Sequence, residues 1–232
     1  MLPRSLTTLV LVAACGMSSL ALAQDKGAKP VAAAPAAKGD VRLGDAYYLT
    51  TCPMSGEKLG GMGEAVIKVY DGRETRFCCK DCVVEFEKDK AAGWAKVDAL
   101  MVKDQLSHYP VDTSIVSGKK LGDKPVDFVW NNRLVRVADE GEKAAFLKDT
   151  TKFIAALDAA VIKKQSATYT LSKCPVMGDD IEKGGATNFV VANRLVELCC
   201  KKCVAKISKN PAKFVAMVDS PGTATPPAGG GK

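Results

Sequence analysis

Apolar and polar residues alternate in three short bursts along the chain. Each burst is split by a turn signal and followed by a helical period. The first reads AVIKVY, turn Asp71-Gly72, then RETRF; the second VDFVW, Asn131-Asn132, RLVRV; the third NFVVA, Asn193, RLVEL. Asp-Gly and Asn-containing turns accept the positive φ of a tight hairpin, so the pattern predicts three β-hairpins. A helix-period segment follows each, CCKDCVVEFEK in the first case and CCKKCVAKISK in the last. A second short helix then reads AGWAKVDAL, TKFIAALDAAVI or PAKFVAMVD, with Trp94, Phe153 and Phe214 in the same place. Pro211 suits the first helical position, with Asn210 as N-cap.

The segments before the hairpins complete the repeat. LTTCPMSGEKLG, VDTSIVSGKKLG and LSKCPVMGDDIE align on Cys52, Ser114 and Cys174, about sixty residues apart. Leu49, Val111 and Leu171 recur before these anchors, as do Tyr47, Tyr109 and Tyr169. The tyrosines read as a packing position, since a buried Tyr brings large apolar area and one polar tip. The fold class expected is therefore α+β. Three small units in tandem, over 46–101, 107–160 and 167–219, each contain a knuckle, a hairpin and two short helices.

The flanks differ in kind. Arg4, an apolar run over 6–23 and Ala21-Leu22-Ala23 before Gln24 read as a secretory signal peptide, residues 1–23. The expected location is then secreted or periplasmic. Val12-Ala13-Ala14-Cys15 resembles a lipobox, and the alternative is a lipoprotein anchored to the membrane through Cys15. Residues 24–45, rich in Ala, Lys and Pro, read as a flexible linker, and 220–232 as a disordered tail.

The chemistry lies in the cysteines, nine in all. Apart from Cys15 they form two matching quartets: Cys52, Cys78, Cys79 and Cys82, then Cys174, Cys199, Cys200 and Cys203. Each is spaced C-P-x-x-G … C-C-x-x-C. Cys79 and Cys82 fall at i and i+3, on one face at a helix start, where the helix dipole favours thiolates. The middle unit keeps the scaffold without thiols. Ser114 replaces the first cysteine, and Ala138, Asp139 and Glu142 replace the trio; the two acids read as a solvated helix start.

CPMSG … RFCCKDC … F, with its partner CPVMG … LCCKKC, resembles the YHS/TRASH family of small treble-clef-like metal-binding modules. The resemblance covers 46–101 and 167–219, and the middle unit by extension. It implies a hairpin, a helix and a cysteine-bound metal, with heavy-metal sensing or handling as the role. It places Cys52 on the knuckle ligand and Cys78 and Cys82 on the C-x3-C pair, and likewise Cys174, Cys199 and Cys203. A treble-clef knuckle reads C-P-x-C-G, whereas this chain has Ser55 or Met177 at the second cysteine position. The fourth ligand then falls to Cys79 and Cys200, to the Met177 thioether, or to an open position. Tetrahedral sulfur suits zinc; three or four thiolates also suit copper(I) and other soft ions.

Two other uses of the thiols stay open. Export favours disulfides, giving a stapled extracytoplasmic interaction module without metal. The C-x-x-C pairs at 79–82 and 200–203 suit thiol redox chemistry, although no thioredoxin-like βαβ pattern surrounds them. The formal charge of +7 is spread along the chain, and export argues against a nucleic-acid partner. The expected partners are a metal ion and an extracytoplasmic protein, with the membrane involved only through Cys15. His108, the single histidine, reads as a packing or surface residue. The GGMG run over 60–63 reads as a loop rather than a phosphate cradle. No nucleotide loop, HExxH, nucleophile elbow or catalytic carboxylate pair stands out, so the chain does not read as an enzyme.

Overall fold

A computed structural model describes residues 41–182 and 186–221. The signal segment, Cys15, residues 24–40 and the tail from 222 lie outside the described residues. The fold is α+β, built from three hairpin–helix–helix units. The first has β1 (Val66–Tyr70), β2 (Arg73–Phe77), α1 (Lys80–Lys88) and α2 (Lys90–Gln105). The second has β3 (Val126–Trp130), β4 (Arg133–Val137), α3 (Glu140–Lys148) and α4 (Thr150–Gln165). The third has β5 (Thr187–Val191), β6 (Arg194–Leu198), α5 (Lys202–Lys209) and α6 (Pro211–Asp219). Each strand pair is a separate antiparallel sheet, with Val66 opposite Phe77, Val126 opposite Val137 and Thr187 opposite Leu198.

The hairpin turns follow from their residues. Asp71 and Gly72 have φ of 50° and 82°, and Asn131 and Asn132 of 42° and 70°. In the third hairpin Ala192 joins Asn193 in the turn, with φ of 51° and 57°, so β5 ends one residue earlier than the sequence suggests. Alanine in the left-handed region costs roughly 1–2 kcal/mol. The Ala192 N–H donates to Asp45 Oδ2 at 2.7 Å in a fully buried setting, an interaction that only this turn position provides.

Each first helix packs an aromatic or aliphatic residue beneath its hairpin and against the second helix. Phe86 meets Trp94 edge to face at 5.1 Å, and Phe146 stacks on Phe153 at 6.0 Å. Ile207 and Phe214 serve the third unit. Burying a side chain of this size contributes roughly 1.5–3 kcal/mol. A methyl group on Gly93 would come within 2.4 Å of the Phe86 ring. Gly93→Ala should therefore cost about 1–3 kcal/mol through overpacking, read as a lower urea midpoint at unchanged slope.

The units pack on one another. Apolar side chains of the first and third units share one core, which holds Phe77, Phe86, Val97, Phe189, Val196 and Ile207. The middle unit has its own around Leu134, Val135, Phe146 and Leu157. Repeated polar contacts tie the last residue of each long helix to the next hairpin. Gln105 Nε2 donates to Asn132 O and Leu134 N donates to Gln105 Oε1, both at 2.9 Å. Gln165 does the same for Asn193 O (2.9 Å) and Leu195 N (2.7 Å). Asn132 Nδ2 reaches Glu74 O at 2.8 Å, Asn193 Nδ2 reaches Leu134 O at 3.0 Å, and Arg76 Nη1 reaches Lys209 O at 3.1 Å. Contacts thus join all three pairs of units.

An arginine anchors each hairpin to its own second helix: Arg73 to Asp98, Arg133 to Asp158 and Arg194 to Asp219, at 2.5, 2.6 and 2.8 Å. Arg133 is also gripped by both carboxylate oxygens of Asp45, at 2.7 and 2.9 Å. This corrects the linker boundary. Arg42 and Asp45 are buried, Arg42 pairs with Glu74 at 3.0 Å, and residues 42–45 belong to the folded body. Their partners lie in distant parts of the chain, so local composition suggested a tether where the fold has a strap.

Candidate metal centres

The knuckle is the same in all three units. Cys52 N donates to Glu57 O at 2.7 Å, and Gly56 N donates back to Cys52 O at 2.9 Å. Ser114 and Gly118 repeat this with Lys119, as do Cys174 and Gly178 with Asp179. The glycines stand at φ of 77°, 72° and 78°, where any other residue but Asn is strained. This explains the fixed glycine four residues after each anchor. The loop turns Cys52 and Cys174 inward, toward the exit of the second strand and the first turn of α1 or α5.

Two trios result. The sulfurs of Cys52, Cys78 and Cys82 lie within 4.8 Å of one another, as do those of Cys174, Cys199 and Cys203. All are buried except Cys199, which is half-buried. Cys78 and Cys82 are 3.7 Å apart. Cys203 stands 3.8 Å from Cys174 and 3.7 Å from Cys199. The remaining two predicted ligands are adjacent but outside these sets. Cys79 Sγ is 3.9 Å from Cys78, and Cys200 Sγ is 3.8 Å from Cys203 and 4.0 Å from Cys199. Cys79 is the half-buried N-cap of α1, with extended backbone, beside the buried Cys78 and Cys82. In the third unit the cap is Lys201, one residue past the half-buried Cys200, and the equivalent trio forms. All eight thiols are free.

The sulfurs sit in unequal fields. Burial opposes ionisation of Cys52, yet the backbone N–H groups of Ser55, Cys78 and Met54 and the Ser55 hydroxyl outweigh it and bring the thiol down to about 7. Cys174 is lowered likewise, burial being overcome by the amides of Cys199, Met177 and Val176. Cys82 and Cys203 are pushed up, mainly by burial and then by neighbouring thiols, and Cys199 is pushed up to about 11 by burial and Cys174. Cys79 is lowered by the Cys82 N–H and thiol. Each trio thus presents one thiolate-prone sulfur, from the knuckle, and holds the proton on the thiol of the helix, Cys82 or Cys203.

The middle unit shows what replaces a thiol trio. Ser114 Oγ donates to Glu142 Oε2 at 2.5 Å, and Ala138 N donates to the same oxygen at 2.9 Å. The Ser114 bond, then Ser117, holds the Glu142 carboxyl below its usual range. A hydrogen bond spans the gap between the positions of Cys52 and Cys82. Glu142 is therefore more than a solvated residue at a helix start. Asp139 fits that description: it is exposed and caps α3, accepting from Glu142 N at 2.9 Å. Ser114→Cys alone should leave metal uptake unchanged. Ser114→Cys with Ala138→Cys and Glu142→Cys should add one ion per chain, measured by mass spectrometry of the metal-loaded protein.

Elsewhere the predictions on packing residues match their positions. Tyr47 and Tyr109 are buried; Arg136 N donates to Tyr109 Oη at 3.1 Å and Glu197 N to Tyr169 Oη at 3.0 Å. His108 sits away from both trios, its Nε2 3.9 Å from Asp219 Oδ1, beside a cavity of about 230 Å³ lined by Gln165, Tyr169 and Arg194. Burial and then Arg194 push its imidazole below the usual range. No helix among the described residues is long and apolar enough to cross a membrane. No protein-family model matches the chain, and no curated protein or solved structure matches it.

Proposed function

We propose that the protein is an exported binder of soft transition-metal ions, zinc or copper(I) in class, with one site in each thiol-bearing unit. The carrying observation is the pair of sulfur trios, each within 4.8 Å of mutual contact. Two thiolates on a tetrahedral ion at about 2.3 Å stand roughly 3.8 Å apart, close to the 3.7 and 3.8 Å spacings around Cys82 and Cys203. A disulfide needs about 2.05 Å. The YHS/TRASH resemblance of the CPMSG … RFCCKDC motifs points to the same reading.

Capture begins at Cys52 or Cys174, whose backbone donors favour the thiolate. The remaining thiols of the trio release protons as the ion binds. Cys79 and Cys200 stand at the rim as fourth ligands for an ion that demands four. The role is sequestration, transfer or metal-dependent recognition of an extracytoplasmic partner, and no catalytic step is assigned. Export rests on the apolar run over 6–23, and mature protein beginning at Gln24 would support it.

Alkylation mapping tests the sites. The reduced chain is loaded anaerobically with Zn(II) or Cu(I) and treated with iodoacetamide. Protection of Cys52, Cys78, Cys82, Cys174, Cys199 and Cys203 is expected. Equal labelling of all thiols with and without the ion would overturn the reading.

A further inference from the structure

The two sites share a scaffold, yet the groups at their mouths differ in softness and in charge. The third residue after each anchor lies in the knuckle beside the site, and in the third unit its backbone N–H faces Cys174. In the first unit Ser55 Oγ lies 3.3 Å from Cys78 Sγ. In the middle unit Ser117 takes this place and helps hold the Glu142 carboxylate. In the third unit the position is Met177, half-buried against the core that contains Cys174 and Cys203. The first unit also has a methionine, Met54, but one residue earlier. Met54 is half-buried against the same core as Met177, and its counterpart in the third unit is the buried Val176. At the third position after the anchor, the third site has a thioether where the first has a hydroxyl.

The charge differs in the same sense. Three residues after the last cysteine stand Glu85 in the first unit and Lys206 in the third. Lys206 Nζ reaches Met177 Sδ at 3.1 Å. Helix α1 carries Asp81, Glu85 and Glu87 against Lys80 and Lys88, whereas α5 carries Lys202, Lys206 and Lys209 and no acid. Asp179 Oδ2 lies 3.7 Å from Cys199 Sγ, and the first unit also has an acid, Glu57, at this knuckle position in its sequence. The rim thiols Cys79 and Cys200 are likewise common to both.

Three thiolates on a monovalent ion leave a net charge of about −2, and on a divalent ion about −1. A nearby ammonium favours the more negative complex and a nearby carboxylate opposes it. A thioether is a soft donor that favours Cu(I) over zinc. Softness and charge thus point the same way. Resting on the metal-binding reading above, we infer that the two sites are specialised: the third unit's site selects Cu(I), and the first unit's site is the less discriminating one that zinc fills.

Single-site full-length chains test this. Cys52→Ser with Cys82→Ser leaves the third site; Cys174→Ser with Cys203→Ser leaves the first. Each is titrated anaerobically with Cu(I) and with Zn(II) against a chromophoric competing chelator. The ratio of Cu(I) to zinc affinity should be at least roughly tenfold higher at the third site. In the third-site chain, Met177→Ser and Lys206→Glu should each lower that ratio. In the first-site chain, Ser55→Met should raise it. These are exposed or half-buried positions, so the comparison does not depend on rebuilding the core. Equal ratios at the two sites, or no response to Met177→Ser and Lys206→Glu, would overturn the specialisation and leave metal binding standing. Failure of both chains to take up either ion would overturn the metal-binding reading itself.

Discussion

Arg133→Met should destabilise the protein by about 3–5 kcal/mol, the usual cost of breaking a buried ion pair from one side. Arg133 is 4% exposed and its partners Asp45 and Asp158 are 6% and 18% exposed. The substitution strands both acids. It also removes the guanidinium bond to Val190 O at 3.0 Å, a link from the second unit to the third. Asp45 in turn holds Ala192 N, so one residue ties the strap, the middle hairpin and the last hairpin together. Urea unfolding is the measurement. Lys143→Ala is the control: its partner Glu140 is 72% exposed, and a change of no more than about 0.5 kcal/mol is expected. If Arg133→Met behaves like the control, the three units are not held together as described.

Cys203→Ser should remove one bound ion per chain, and Cys82→Ser the other. Each stands in the first turn of the helix that closes its trio, and a serine hydroxyl is a poor ligand for a soft ion. With both replaced, uptake should fall to the background of an unrelated protein. The fold should survive, because the middle unit forms the same knuckle, hairpin and helices with Ser114 and Glu142 in place of the thiols. Far-UV circular dichroism close to that of the parent chain, together with lost metal, is the expected pair of results. Global unfolding of the apo double variant would instead make the thiols structural.

Much of the fold was legible because each unit obeys local rules. Period-two alternation gave the strands. Asp71-Gly72 and Asn131-Asn132 gave the turns, and Pro211 gave the start of α6. The third turn was displaced because Ala192 adopts a positive φ for a bond to Asp45, 147 residues away in sequence, which no local pattern records. The strap over residues 42–45 was hidden for the same reason. Gln105, Gln165, Asn132 and Asn193, which carry the contacts between units, looked like ordinary polar residues at helix ends and turns. Their recurrence at one place in each repeat was the available signal.

The candidate sites were legible in membership from spacing, which gathered eight thiols into two quartets. The motif resemblance set Cys79 and Cys200 apart from the other six. The structure makes the same division: three sulfurs of each quartet lie within 4.8 Å of one another, and Cys79 and Cys200 stand outside these sets. Glu142 was missed as the partner of Ser114 because the two are 28 residues apart in sequence and meet only once the knuckle has closed on the helix.

The central claim is that the two trios hold metal. The direct measurement is the metal content of the chain from Gln24 onward, purified anaerobically, combined with a count of free thiols after denaturation in chelator. The account predicts close to two soft-metal ions per chain and eight titratable thiols. Metal-free protein with its cysteines already oxidised in pairs would contradict it.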